Sequence, residues 1–347
     1  MLRKDAHPSM MRSAMLHAPR SVSIEQVPVP SCKDDEVLVE VEVVGLCGSD
    51  VHIYTGERSL TDPMILGHEI AGRLVALGSQ VPPDRVGQRV VVEPNIACGQ
   101  CIYCRRGLGR ICPSKQIVGQ TRWGGLAEYV AVPEQFAWPI PDNIPFNDAV
   151  LIEPTAVAVH ALNHASLDAN ATIAIIGCGS IGLLLMSVAL ARGHRVVVLE
   201  TNASRRQAAL NAGAIDALTT QESYELQTLL LQYEVTALFE CVGVPQTAQL
   251  CLDAAPHGSR LVLIGLATEN IALNPLQFVR RELDLRGAII YDHPADFITT
   301  IALVASGKLP STLKTSQLYP LESTPALLQS MSSGTLDAKP LISPRQL

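Results

Sequence analysis

Aromatic residues are scarce in this chain, 4% of 347, and charged residues make up only 17%. With so few rings, any one of them belongs more often to a core than to a binding pocket. Basic residues number 26 against 33 acidic ones, and they are scattered. No basic stripe is available to follow a phosphate backbone, so nucleic acid is excluded as the expected partner. The segment Met1 to Ala14 lacks the apolar stretch of a secretory signal, and its first ten residues read as a loose extension. Internal repeats and low-complexity tracts are absent. Thr172 to Ala191 is nearly free of charge and about as long as a membrane span, but Gly177, Gly179 and Gly182 break it as a strand, a turn and a helix would require.

The nine cysteines show no disulfide framework, which points to a reducing, cytoplasmic setting. Four of them, Cys98, Cys101, Cys104 and Cys112, form C-x2-C-x2-C-x7-C. Thiolates at this spacing can close a tetrahedron round one ion, and a zinc with four protein ligands is structural. An iron–sulfur cluster is the chemical rival, because four thiolates suit it too. A DNA-reading zinc finger is disfavoured by the acidic chain. A second, scattered set is of mixed chemistry: Cys47, His68, Glu69 and Glu153. Cys47 lies in GLCGSDVH and His68 in LGHE, each with a glycine alongside. Either alone is more often a buried thiol or a core histidine. Their occurrence with the cysteine loop and a nucleotide motif turns them into a candidate catalytic metal site.

Strand and helix signals divide the chain. Val37 to Val44, VLVEVEVV, alternates with the period of a half-buried strand, and short strand-like runs recur near Ile70 to Leu77, Val86 to Glu93 and Leu126 to Val132. A helical stretch runs from Glu153 through Ala165. Strands are then predicted at Thr172 to Gly177, Arg195 to Glu200, Asp216 to Leu218, Ala237 to Val242, Arg260 to Gly265 and Asp284 to Ile289, with helices between them. Six strands so joined imply an α/β fold with a doubly wound parallel sheet of the Rossmann type. After about Asp292 the prolines at 294, 310, 320, 325 and 340 break this rhythm, and the chain is expected to return to the first lobe.

IAIIGCGSIGLLL sets Gly177, Gly179 and Gly182 as G-x-G-x-x-G between a strand and a helix, with Ser180 and Ile181 inside the motif. The first glycine permits the tight turn, the second lets a pyrophosphate approach, and the third lets helix and strand pack closely. Phosphates would rest on the helix N-terminus. Glu200 ends the next strand, where a carboxylate accepts hydrogen bonds from an adenosine ribose and repels a 2′-phosphate, so NAD is favoured over NADP. Arg205, with Arg206, is a nearby guanidinium that could offset that repulsion. Val242, at the end of the fourth predicted strand, is a further cofactor contact.

In order and spacing these motifs resemble the medium-chain zinc alcohol dehydrogenase family, over nearly the whole chain from Met11 onward. The resemblance implies a GroES-like, mainly-β catalytic domain over 1–155 and 292–347, and an NAD-binding Rossmann domain over 156–291. It implies that Cys47 and His68 bind a catalytic zinc, in addition to the structural one. Glu153, in IEPTAVAVH, stands where many relatives have Cys, as in the polyol branch that includes sorbitol dehydrogenase, and in threonine dehydrogenase. Within that branch Glu69 can bind zinc while Glu153 holds water beside it, and both carboxylates stay candidates. Otherwise Glu69 is the partner of a neighbouring cation. Asp50 is expected to hold the His68 ring. Ser49 and His52 match the family's proton relay. Tyr54, Trp123 and Tyr291 are candidates for lining the substrate pocket.

The implied reaction is oxidation of a secondary alcohol to a ketone, by a subunit that forms a homodimer or homotetramer. Ile290 and Tyr291 stand where the sorbitol group commonly has Arg-Tyr, and Ile53 follows the relay histidine where Tyr is frequent. Cyclitols, sugar phosphates and amino alcohols such as threonine therefore stay open as substrates. A zinc-stabilised binding protein without turnover is the alternative outside the enzyme class.

Overall fold

The computed structural model describes residues 7–59, 63–220, 222–309, 317–336 and 338–345. They fall into two compact units, one of described residues up to 153 and from 317 onward, the other of described residues 154–309.

The first unit is mainly β. Its larger sheet runs in the order Ala137–Pro139, Arg89–Val92, Glu69–Leu77, Glu36–Gly45, Leu341–Ser343 and Leu318–Pro320. Glu36–Gly45 is the spine of that sheet, because Glu69–Leu77 pairs along one edge while Tyr129–Pro133 and Leu341–Ser343 share the other. Its alternation predicts one wet face, yet Val37, Leu38, Val39, Val41, Val43 and Val44 are all buried. Only Glu40 and Glu42 keep partial exposure, because both faces of this strand are covered along most of its length. The N-terminal hairpin of Met10–Ala18 and Ser21–Pro28 belongs to a separate small sheet.

The second unit carries a six-stranded sheet in the order Asp216–Leu218, Arg195–Leu199, Thr172–Ile176, Val235–Glu240, Arg260–Leu263 and Asp284–Gly287, every pair parallel. Numbered along the chain this is 3-2-1-4-5-6, the doubly wound order. All of Thr172–Ile176 is buried. Ile173 and Ile175 join one apolar core while Ala174 and Ile176 join the other, as a central strand covered on both faces must. Among the described residues, no helix is long and apolar enough to cross a membrane. The uncharged run from Thr172 is instead strand, turn and helix.

Residues 292–309, expected with the first lobe, group with the second unit. A polar network links them there: buried Asp296, on helix Ala295–Ala305, accepts from Asn163 Nδ2 and from Asp292 N, both at 2.8 Å, and pairs with buried His160 Nδ1 at 2.9 Å. Burial favours the neutral acid, but the His160 bond and its companions outweigh it and keep the Asp296 carboxyl below its usual range. With both oxygens engaged, this His160–Asp292–Asp296 cluster serves packing.

Candidate metal and cofactor sites

The cysteine loop gathers its sulfurs without joining them. All nine cysteines are free. Cys101 and Cys104 Sγ lie 3.4 Å apart, Cys101 and Cys112 3.8 Å, and Cys98 and Cys104 3.9 Å. A tetrahedron with metal–sulfur bonds of about 2.3 Å has edges of roughly 3.8 Å, so the set fits one tetrahedral ion. Cys101 caps the one-turn helix Ile102–Arg105, and the Cys104 N–H donates to its sulfur at 3.5 Å. Backbone N–H groups of Gln100 and Cys101 pull the Cys98 thiol down to about 6, whereas desolvation and the Cys101 and Cys112 sulfurs push Cys104 up to about 12. Four thiols so close cannot all ionise unaided, and a divalent cation removes that conflict.

The mixed set assembles at the end of the sheet spine. Cys47 is the N-cap of helix Gly48–Thr55, and its N–H donates to Asp50 Oδ2 at 2.9 Å. Asp50, fully buried, also accepts from Gly67 N at 3.2 Å and meets His68 Nδ1 at 3.3 Å. That contact assigns the ring proton to Nδ1 and leaves Nε2 as the donor atom for a metal, 3.4 Å from Ser49 Oγ. Gly67 must be glycine, because φ is +86° and a Cβ there would strike Val44 and Leu126. Glu69 opens the next strand and pairs with Gly45, whose missing Cβ makes room for the Glu69 carboxylate.

Cys47, His68 and Glu69 place their ligand atoms within 4.8 Å of one another. Glu153 is buried at the start of helix Ile152–Ala165 but stands outside this trio. Glu69 Oε2 is buried and accepts no hydrogen bond. An unpartnered carboxylate oxygen in a dry site is costly, and a cation between Cys47, His68 and Glu69 would supply the missing partner. The trio therefore fits a metal.

Sequence reasoning missed Lys339. Its ammonium is buried 2.6 Å from Glu69 Oε1 and 3.3 Å from the Leu46 carbonyl oxygen. Glu69 is thus the partner of a cation through one oxygen while the other faces the trio. Burial opposes the charge on Lys339, but Glu69, Cys47 and Glu153 outweigh it and raise its pKa. Burial likewise opposes a charge on His68, and Asp50 with Cys47 lifts that pKa well above its usual value. The pocket is anionic and draws positive charge. No motif surrounds Lys339; it arrives because Leu341 and Ile342 pair with Gly45 and Val44.

His52, in the last turn of the same helix, is half exposed and lies 2.6 Å from Glu57. Two of the three proposed pocket aromatics are core residues. Tyr54 is 5% exposed within the main apolar cluster, and Tyr291 is 2% exposed, edge-on to Phe297 at 4.9 Å. Large rings contribute most when fully buried, and the structure uses them so. Trp123 keeps an accessible face, at 37%.

In the second unit a cavity of about 540 Å³ is lined by Gly177, Gly179, Glu200, Arg205 and Val242, and also by Thr220 and Thr247, which carried no motif signal. The glycines differ in use. Gly177 has φ +90°, Gly179 faces open space, and a Cβ on Gly182 would collide with the Gly177 carbonyl oxygen. Gly179 caps helix Ser180–Ala191, so Ser180 and Ile181 supply its first free N–H groups. Glu200 accepts from Cys178 N and Asn202 N, both at 2.9 Å, which ties it to the glycine loop while spare lone pairs stay available. Arg206 is spent on the carbonyl oxygens of Glu200 and Thr201, whereas Arg205 lines the cavity.

Comparisons with known proteins bear on the fold and the family. Residues 33–142 match the alcohol dehydrogenase GroES-like domain, and residues 180–306 match the zinc-binding dehydrogenase model. Sorbitol dehydrogenase of Bacillus subtilis (strain 168) is 35% identical over 327 residues, 91% of this chain and 92% of that protein. An alcohol dehydrogenase of Escherichia coli CFT073, solved with NADH, superposes with TM-score 0.91 at 27% identity, over 97% of this chain and 100% of that one. A zinc-binding dehydrogenase of Sinorhizobium meliloti 1021, solved with NADP, does so with TM-score 0.90 at 30% identity, over the same shares. The chain belongs to the medium-chain zinc-dependent alcohol dehydrogenase family, in its polyol dehydrogenase-like branch.

Proposed function

We propose that this alcohol dehydrogenase oxidises a secondary alcohol of a polyol or sugar-alcohol-like substrate to a ketone with NAD. The observation that carries the reading is the buried, unpartnered Glu69 Oε2 beside Cys47 and His68. These three residues would hold the catalytic zinc, with Glu153 close by, and Cys98, Cys101, Cys104 and Cys112 would hold a structural one. Bound there, zinc supplies the Lewis acidity that lowers the pKa of a substrate hydroxyl, and NAD accepts the hydride.

The chain's own residues do the rest. Asp50 fixes the His68 ring so that Nε2 is the nitrogen presented. Lys339 occupies Glu69 Oε1, leaving Oε2 for the metal. Ser49 Oγ takes the substrate's hydroxyl proton, and His52 passes it towards solvent. Trp123 is the aromatic candidate left for substrate contact. Self-association as a dimer or tetramer is supported by Leu273, Leu276 and Val279, all exposed.

Preference for NAD rests on Glu200, since relatives are solved with either cofactor form. Glu200→Ala is expected to weaken NAD binding roughly 10- to 100-fold and to narrow the preference over NADP, because a charged hydrogen-bond acceptor is lost and a 2′-phosphate is no longer repelled. Fluorescence titration with NADH and NADPH measures both effects, and an unchanged ratio would remove Glu200 from the ribose role. Metal analysis with an NAD-linked screen of polyols, cyclitols and amino alcohols tests the whole reading. Two zincs per chain and NADH formation are expected. One zinc and no cofactor binding would overturn it.

A further inference from the structure

The sequence assigned no role to Glu57, which follows the helix that carries Cys47, Ser49 and His52. That helix ends at Gly56, whose φ is +87° and whose N–H donates to the Ile53 carbonyl oxygen at 3.1 Å. A Cβ on Gly56 would meet the Pro19 ring at 2.8 Å, so the turn depends on glycine. It brings Glu57 back over the helix end, where Oε2 lies 2.6 Å from His52 Nδ1 and Oε1 accepts from Thr55 Oγ1 at 3.0 Å. Thr55 Oγ1 is also 3.3 Å from the His52 carbonyl oxygen, to which Arg58 N donates at 3.0 Å. Both carboxylate oxygens thus have a partner within one turn of chain.

We propose that Glu57 is a positioning residue for His52, accepting a hydrogen bond from Nδ1–H and so leaving Nε2 as the nitrogen that passes the proton. The inference rests on the relay reading of Ser49 and His52 given above. An ionised carboxylate can only accept, so the ring nitrogen facing it carries the hydrogen and the other keeps its lone pair. The bonds from His52 and Thr55 keep the Glu57 carboxyl below its usual range, hence ionised near neutral pH. The pair is 50% and 62% exposed, so it adds little to folding stability and its value lies in orientation. No redox step is involved: one proton arrives at Nε2 and leaves from Nε2 to solvent water, while the Nδ1 proton stays with the ring.

The test uses the zinc-loaded enzyme labelled with 15N-histidine, wild type beside Glu57→Ala and His52→Gln. Comparison with His52→Gln assigns the His52 ring signals. In the wild type they should report the Nδ1–H tautomer, and Glu57→Ala should give a mixture of both tautomers. An unchanged tautomer in Glu57→Ala overturns the inference. Kinetics with NAD and the alcohol giving the fastest NADH formation supply the second measurement. Glu57→Ala should lower kcat by roughly tenfold with KM little changed, and His52→Gln should lower it further. If His52→Gln leaves kcat intact, the relay reading fails and this inference fails with it. If only Glu57→Ala leaves kcat intact, Glu57 alone loses its role.

Discussion

Cys47→Ser is expected to abolish NAD-linked alcohol oxidation while leaving the first unit folded. A serine hydroxyl is a poor substitute for thiolate as a zinc ligand at neutral pH, because it stays protonated and is hard where sulfur is soft. Loss of the Lewis acid removes several kcal/mol of transition-state stabilisation, and each 1.36 kcal/mol is tenfold in rate. A fall in kcat/KM of at least about 10³-fold follows. The fold should persist, because the Cys47 backbone N–H, not its sulfur, makes the bond to Asp50 Oδ2. Circular dichroism should be unchanged, and metal analysis should lose about one zinc per chain. Full zinc content with wild-type turnover would remove Cys47 from the site.

Cys101→Ser should do the opposite, lowering stability while sparing the other metal. From Asn95 to Ile117 only Cys112 is buried, and Ile102, Tyr103 and Ile111 are 57%, 38% and 42% exposed. The regular structure there amounts to single helical turns and the two-residue strands Asn95–Ile96 and Gln116–Ile117. A single turn cannot hold itself together in water, and an apolar core is missing. A bound ion would do most to fix this segment, and structural zinc in isolated finger peptides binds with about 10–16 kcal/mol. Losing one of four ligands is therefore expected to cost several kcal/mol locally. Melting temperature should drop, and limited proteolysis should cut between residues 98 and 115. An unchanged melting curve with one zinc lost would mean that the loop is held by other contacts.

These two substitutions separate sites that were also unequally legible. The cysteine loop could be read because its four thiols lie within fifteen residues, so spacing alone carries the geometry. The glycine motif is legible for the same reason: Gly177, Gly179 and Gly182 each answer to a local steric demand of one turn. The strand-and-helix alternation likewise fixed the parallel sheet, since burial on both faces leaves a mark within each short run.

The remaining features depend on which distant segments meet. Glu69, rather than Glu153, joins Cys47 and His68 because the pairing of Glu69 with Gly45 sets it there, and Lys339 reaches Glu69 from 270 residues away through the pairing of Leu341 with Gly45. Asp296 holds the chain after Asp292 to the second unit through His160 and Asn163. Tyr54 and Tyr291 have the composition of pocket residues and the positions of core residues. Composition and spacing thus determined the sheet order's class, the cysteine set and the cofactor turn, because those are properties of contiguous chain. Strand register decided the partners of Glu69, and side-chain packing decided which aromatics face solvent, because neither is encoded within any one segment.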